Sequence, residues 1–448
     1  MIHNLKPYPV YQDSGVPWLG EVPAHWTTER LKSSVTNVVE PGTERRGKDL
    51  YVALEHVESW TGQLNGAPPD VGPDSQLKRF APGDVLFGKL RPYLAKVTRP
   101  TTGGLCVGEF LVLRPRDTTF DTGFLERLLR AKPIIDTVDA STFGAKMPRA
   151  DWTFIGSMKV VQPPLAEQAA IVLFLDHADR RIQRYIRARE KLIALLEEQK
   201  QALIHEAGTG RIDVRTGKPY PAYKPSGVEW LGEVPADWGE APLGRCLRHI
   251  AQGWSPTAAE GEIQPNQWAV LALSSVKRGM FDSTAIKPIP ISAKIPEGIE
   301  IENGDLLLTR SNTRDLVGDV CIVEGARPKT VISDLIYRLT PKPAILERRL
   351  LMFQLLSALG RRQIERDARG SSATMPKIAH HHIRSWRVLI PPRDEQQCIV
   401  KVIRDAEKAI NGAVEGVRAK LSLLHEYRTL LIADVVTGKI DVREAEAA

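Results

Sequence analysis

Few residues of this 448-residue chain are typed and spaced for chemistry. Gln162-Pro163-Pro164-Leu165 and Ile390-Pro391-Pro392-Arg393 carry the double proline of an adenine-methyltransferase loop. That chemistry needs Asn or Asp before the prolines and an aromatic residue after them, and neither string has them. Glu198-Gln199-Lys200 has a nuclease-like acid-x-Lys spacing, but it falls in a helical pattern where a solvated face is expected. His380-His381-His382 could hold a metal only if adjacent side chains converged, and adjacent residues in a strand or loop point different ways. Phosphate-binding G-x-x-x-x-G-K-[ST], H-E-x-x-H and G-x-S-x-G strings are missing, as is a glycine-rich adenosylmethionine loop. No catalytic residue and no metal ligand is therefore assigned.

What remains is a set of cationic and amide side chains beside predicted strands. Lys89, Arg91 and Lys96 follow the run Asp84-Val85-Leu86-Phe87, and Arg310, Asn312 and Arg314 follow Asp305-Leu306-Leu307-Leu308. Lys146, Arg149 and Lys377 flank two Met-Pro loops. Arg and Lys suit phosphates and guanine edges, and Asn suits adenine, so these nine are the candidate DNA-binding residues. The net charge of +7 is modest. Basic residues outnumber acidic ones by 20 to 18 over 1–160 and by 23 to 18 over 217–390, whereas the connecting segments balance. Contacts with a polyanion must then come from local clusters and not from a global field.

The elements that must position these residues come in two copies. Lys6–Trp26, KPYPVYQDSGVPWLGEVPAHW, matches Lys218–Trp238, KPYPAYKPSGVEWLGEVPADW, at 16 of 21 positions. Pro163–Arg215 aligns with Pro391–Arg443 without a gap, from P-P-x-x-E-Q to T-G-[KR]-I-D-V-R. Between these anchors the middles diverge, with marks such as Gly83-Asp84 and Gly304-Asp305 kept. Short Val/Ile/Leu runs broken by Gly, Pro and Asp predict strands there. Helical stretches are expected at 124–131 and 346–369. Apolar residues make up 42% and charged residues 26%, enough for a core in each half. Four scattered cysteines and the lack of an apolar run near 18 residues place the chain in the cytoplasm.

After each middle, apolar residues alternate at spacings of 4 and 3. The seam includes Ile171, Leu175, Ile182, Leu196 and Leu203 in one copy, and Ile399, Ile403, Ile410, Leu424 and Leu431 in the other. Such a pattern over more than four heptads is a coiled-coil seam. Prolines 163–164 and 391–392 start the helices, and Gly210 and Gly438 suit left-handed stops. Apolar residues off the seam, including Ile186, Ile193 and Ile204, are expected to leave surface for a partner.

The expected fold is α+β with a pseudo-two-fold internal repeat. Two mixed α/β domains, 1–160 and 217–390, are held a fixed distance apart by two long antiparallel helices, 161–216 and 391–448. The opening motif, the P-P-x-x-E-Q pair and the T-G-[KR]-I-D-V-R exit resemble, twice and in order, the specificity subunits of type I restriction-modification systems. That resemblance implies two target recognition domains, each reading half of a split double-stranded DNA target. It also implies helices that dock two methyltransferase subunits, and restriction-translocase subunits that join the complex. S-adenosylmethionine would be used by the methyltransferase partner and no cofactor by this chain. A divergent methyltransferase or nuclease, and a protein-binding scaffold, remain the alternatives.

Overall fold

The computed structural model describes residues 5–42, 49–65, 77–144, 146–228, 231–256, 261–368 and 375–444. It divides into two compact units, one of residues 1–190 with 417–448 and one of residues 191–416. Two helices of 44 residues, Leu165–Gly208 and Arg393–Val436, contribute to both. Each begins directly after its Pro-Pro pair, and each has the length of about 66 Å that 1.5 Å per residue gives.

In the first unit an antiparallel sheet runs in the order Val35–Val38, Phe110–Pro115, Val85–Gly88 and Val97–Thr98. A second sheet orders Pro41–Gly42, Leu77–Phe80, Gly104–Val107 and Leu50–Val52, the last pair parallel. The second unit repeats the first sheet as Leu247–Gln252, Ile336–Pro341, Leu306–Thr309 and Val320–Ile322. The Gly-Asp mark before the central strand has a structural cause. Gly83 and Gly304 take φ of +84° and +94°, where a side chain would be strained. Asp84 accepts the Ala81 N–H at 2.7 Å and pairs with Arg114 at 2.6 Å; Asp305 accepts the Glu302 N–H and pairs with Arg338, both at 3.0 Å.

The repeated motifs join each domain to the long helices. Gln168 is fully buried; its carbonyl oxygen accepts the Asp121 N–H, and its amide donates to Thr119 O and Pro163 O. Asp121 caps the helix Thr122–Arg130, so this one glutamine ties that cap to the start of the long helix. Gln396 does the same for Glu347, which caps Arg348–Leu356. The neighbouring glutamates, Glu167 and Glu395, accept the hydroxyls of Tyr8 and Tyr220. Burial and these carboxylates push both tyrosines well above the ordinary phenol range.

The exit glycines complete each joint. Gly438 has φ of +79°, and a Cβ there would lie 2.4 Å from Pro23 and 2.9 Å from the Trp26 ring. Gly210, at +75°, meets Pro235 and Trp238 in the same way. Lys6 forms a backbone bridge with Asp441, and Arg443 lies 5.0 Å from the Tyr8 ring centre, so the two ends of the chain meet. In the second unit the matching bridge is Asp213 with Lys218.

Each core takes the first turns of one long helix and the last turns of the other. Ile171, Leu175, Leu431 and Val435 join the core of the first unit; Ile204, Ala207, Ile399 and Ile403 join that of the second. Within each unit the paired segments are therefore antiparallel. Of the seam residues, Ile182 and Ile410 are also buried, and Leu196, Leu203 and Leu424 are half-buried. The expectation for the off-seam residues is corrected. Ile186 and Ile204 are buried and Ile193 half-buried, while Tyr185, in the strict 4-3 register, is 52% exposed. A straight helix drifts about 20° per heptad from a seven-residue repeat, so burial passes to the next residue along. The helical stretch expected at 124–131 falls in the helix Thr122–Arg130, with a further helix, Lys132–Ala140, after Ala131; that expected at 346–369 is two helices, Arg348–Leu356 and Ala358–Asp367, broken at Ser357. The three histidines open a short helix, His380–Ser385, and not a strand or loop.

Candidate nucleic-acid interface

In each unit the loop after the central strand is stapled to the Met-Pro loop. In the first, Leu90 forms a backbone bridge with Arg149, the Arg91 N–H donates to Pro148 O at 2.8 Å, and the Ala150 N–H donates to Lys89 O at 2.8 Å. In the second, Ser311 bridges Lys377, and the Ile378 N–H donates to Arg310 O at 2.9 Å. Residues some 60 positions apart in sequence thus form one basic ridge, built the same way twice.

The nine candidate residues are placed unequally on these ridges. Arg91, Lys146 and Arg149 are exposed and Lys89 is half-buried. Arg91 has φ of +51°, unusual for a side-chain-bearing residue and set by the tight turn that meets Pro148. Arg149 is steadied by Glu109 at 2.9 Å. Lys96 points inward, its ammonium donating to Leu54 O at 2.6 Å. In the second unit Arg314 and Lys377 are exposed, and half-buried Arg310 lies 5.9 Å from the Tyr337 ring centre. Asn312 is 9% exposed, and its amide oxygen accepts the Thr313 N–H at 2.8 Å, so it serves the turn. The described residues hold no group of three or more His, Cys, Asp and Glu side chains disposed for a metal ion. No described helix is long and apolar enough to cross a membrane.

Sequence reasoning missed two sets of residues here. His380 packs its ring 4.7 Å from Tyr337, beside Arg310; burial first, then Arg384, Arg310 and His249, hold it below the ordinary imidazole range. Its position two residues after Ile378, in the same segment as the Met-Pro loop, was the available signal. In the first unit Phe143 is 82% exposed and Tyr93 45%, both beside the basic loops. Large apolar side chains in strongly basic loops were the signal there.

A second surface lies on the long helices of the first unit. Ile182, Tyr185, Leu423, Leu424 and Tyr427 line a groove of about 490 Å³, with Arg181, Arg189 and Lys420 also on its walls.

No family model matches the chain. It is 27% identical over 218 residues to the type I restriction enzyme EcoEI specificity subunit of Escherichia coli. That match covers 48% of this chain and 35% of the relative, so the chain spans about a third of that protein's length. Similarity to the putative type I restriction enzyme MjaX specificity subunit of Methanocaldococcus jannaschii is 24%, covering 95% of this chain and 96% of that one. A solved chain from a study of assembly and conformational transition in the type I restriction-modification system superposes with a TM-score of 0.66 at 20% identity, over 93% of this chain and 98% of the other. The fold is thus that of a duplicated two-domain chain with two long helices. In sequence the chain is similar to several specificity subunits of type I restriction enzymes.

Proposed function

We propose that this chain is the sequence-reading, non-catalytic subunit of a cytoplasmic type I complex, and that each unit binds one half of a bipartite double-stranded DNA target. The observation that carries this is the twice-built basic ridge, Leu90 to Arg149 and Ser311 to Lys377. Lys89, Arg91, Lys146, Arg149, Arg310, Arg314 and Lys377 take phosphates and base edges there, since most protein–DNA hydrogen bonds go to the backbone. The long helices dock two methyltransferase subunits, which bind S-adenosylmethionine and methylate adenine, and restriction-translocase subunits join that assembly. The apolar groove with cationic walls between Ile182 and Tyr427 supports a docking role for the helices. The test is selection of binding sites by the full chain, with its methyltransferase subunits, from random duplex DNA. Two short conserved blocks separated by a fixed unread gap are expected. Recovery of a single block, or adenosylmethionine-dependent transfer by the purified chain alone, would overturn the reading.

A further inference from the structure

The Met-Pro loops carry a feature that charge does not explain. Met147 is 58% exposed and Met375 45% exposed, at positions 228 apart in the repeat. Single exposed apolar side chains are ordinary on a protein surface. Two at matching points, in loops that repeat the alanine, the proline and a following cation as well, are less so. Tyr93, two residues after Arg91, is matched in the second unit by Arg314, so the aromatic part of the ridge is not repeated. The methionine is.

Local geometry restricts the backbone at both methionines. A residue before proline is confined to extended backbone, which limits where Met147 and Met375 can point. Pro148 is fixed by the Arg91 N–H, and Pro376 is buried. Each methionine is then flanked by exposed cations: Lys146 and Arg149 in one unit, Lys377 in the other. Among the described residues, the acid bonded to these cations is Glu109, on Arg149. A surface that is apolar at the tip and cationic on its shoulders fits a nucleic-acid groove, where bases lie between two lines of phosphate. Methionine is unbranched and polarisable, so it fills an irregular apolar surface that changes with sequence.

From this, and resting on the DNA-reading role proposed above, we infer that Met147 and Met375 are the apolar base contacts of their two half-sites, each seated against base edges while its flanking cations hold phosphate. The thymine C5-methyl is the apolar group that the major groove offers. The two methionines are specificity-determining residues, distinct from the cations, which position the duplex.

The experiment compares the full chain with its Met147→Ala and Met375→Ala variants on three duplexes. One carries the selected bipartite site, one has the first half scrambled and one the second. Met147→Ala is expected to lose about tenfold in affinity on the duplexes whose first half is intact, and nothing where that half is scrambled. Met375→Ala should show the converse. The dependence of affinity on salt should not change for either, because no phosphate contact is removed. Met147→Leu should retain most of the affinity, and equal melting temperatures for all variants establish that the loops stay folded. Equal loss on every duplex, or no loss on any, overturns the inference. If the unaltered chain itself fails to prefer the selected duplex, the DNA-reading role falls; if it prefers that duplex and the variants match it, only the methionine assignment falls.

Discussion

The joint between domain and long helices is ionic in the first unit and apolar in the second. In the first, Glu126, Arg127 and Arg130 on one helix meet Asp176, Asp179 and Arg428 on the long ones. All three arginines are nearly buried, and burial pulls Arg130 below the ordinary guanidinium range. At the matching points of the second unit stand Met352, Phe353 and Leu356, all apolar, with Phe353 fully buried. Of the long-helix charges, Asp179 and Arg428 have the counterparts Glu407 and Lys200, and burial raises the Glu407 carboxyl. The glutamine locks, Gln168 and Gln396, are the same in both. A duplicated frame therefore needs the hydrogen-bonded lock but tolerates either filling around it. A satisfied buried ion network and a well-packed apolar cluster are close in net stability, although breaking the network is costly.

Four measurements break or sharpen this contrast. Glu126→Ala strands Arg127 and Arg130 without their shared carboxylate and should destabilise the first unit by about 3–5 kcal/mol. The half-buried Lys200, paired with Glu197 at 2.5 Å, should cost under about 1 kcal/mol as Ala in the second. Denaturant unfolding that gave equal losses would mean that the ionic joint is not the stronger dependence. Gln168→Ala and Gln396→Ala should each cost about 1–3 kcal/mol by leaving buried backbone groups unpaired. Here the two units should agree, and a marked inequality would mean that the lock is not shared.

The other two tests concern DNA. Lys377→Ala should weaken binding to all sequences alike and lower the salt slope by roughly one unit. Lys96→Ala should leave the slope unchanged, since its ammonium is held by Leu54; a drop there would show that it turns outward on binding. The smallest effect concerns His380. Held below the ordinary imidazole range, it is neutral at pH 7, and only acidification below that range adds a cation beside Arg310. Half-site affinity in the second unit should rise as pH falls below the ordinary imidazole range, and His380→Ala should abolish the rise. The sign is opposite for folding. The depressed value contributes stability above the unfolded pKa that is lost as pH falls.

Much of this was legible in the sequence because it is repeated. Two Pro-Pro pairs, two exit glycines and two opening motifs mark both joints, and Trp26 with Gly438 shows why drift has spared them. Their repetition marked a frame, and the structure shows that they bond to one another. The ridges were half legible. Arg91 and Arg149 could each be picked out as basic loop residues, but their junction depends on strand pairing across some 60 residues. The ionic joint was hidden, since nothing in the local sequence marks the charged Glu126, Arg127 and Arg130 as buried. The burial register was also misread past Ile182, because the sequence repeats every seven residues and the helix does not turn in a whole fraction of that.

One consequence of the terminal bridge concerns the order in which the chain is made. The second unit is one unbroken stretch, and its bridge joins Asp213 to Lys218, five residues apart. The first unit needs Asp441 to reach Lys6 and Gly438 to cover Trp26, and those residues are translated after the whole of the second unit. At about 5–20 residues per second a ribosome finishes the second unit's sequence before it supplies the first unit's final pieces. The half begun first is therefore completed after the other, and until then its Trp26 waits uncovered. A ribosome that stops short of Val435 would leave a finished second unit and an unfinished first.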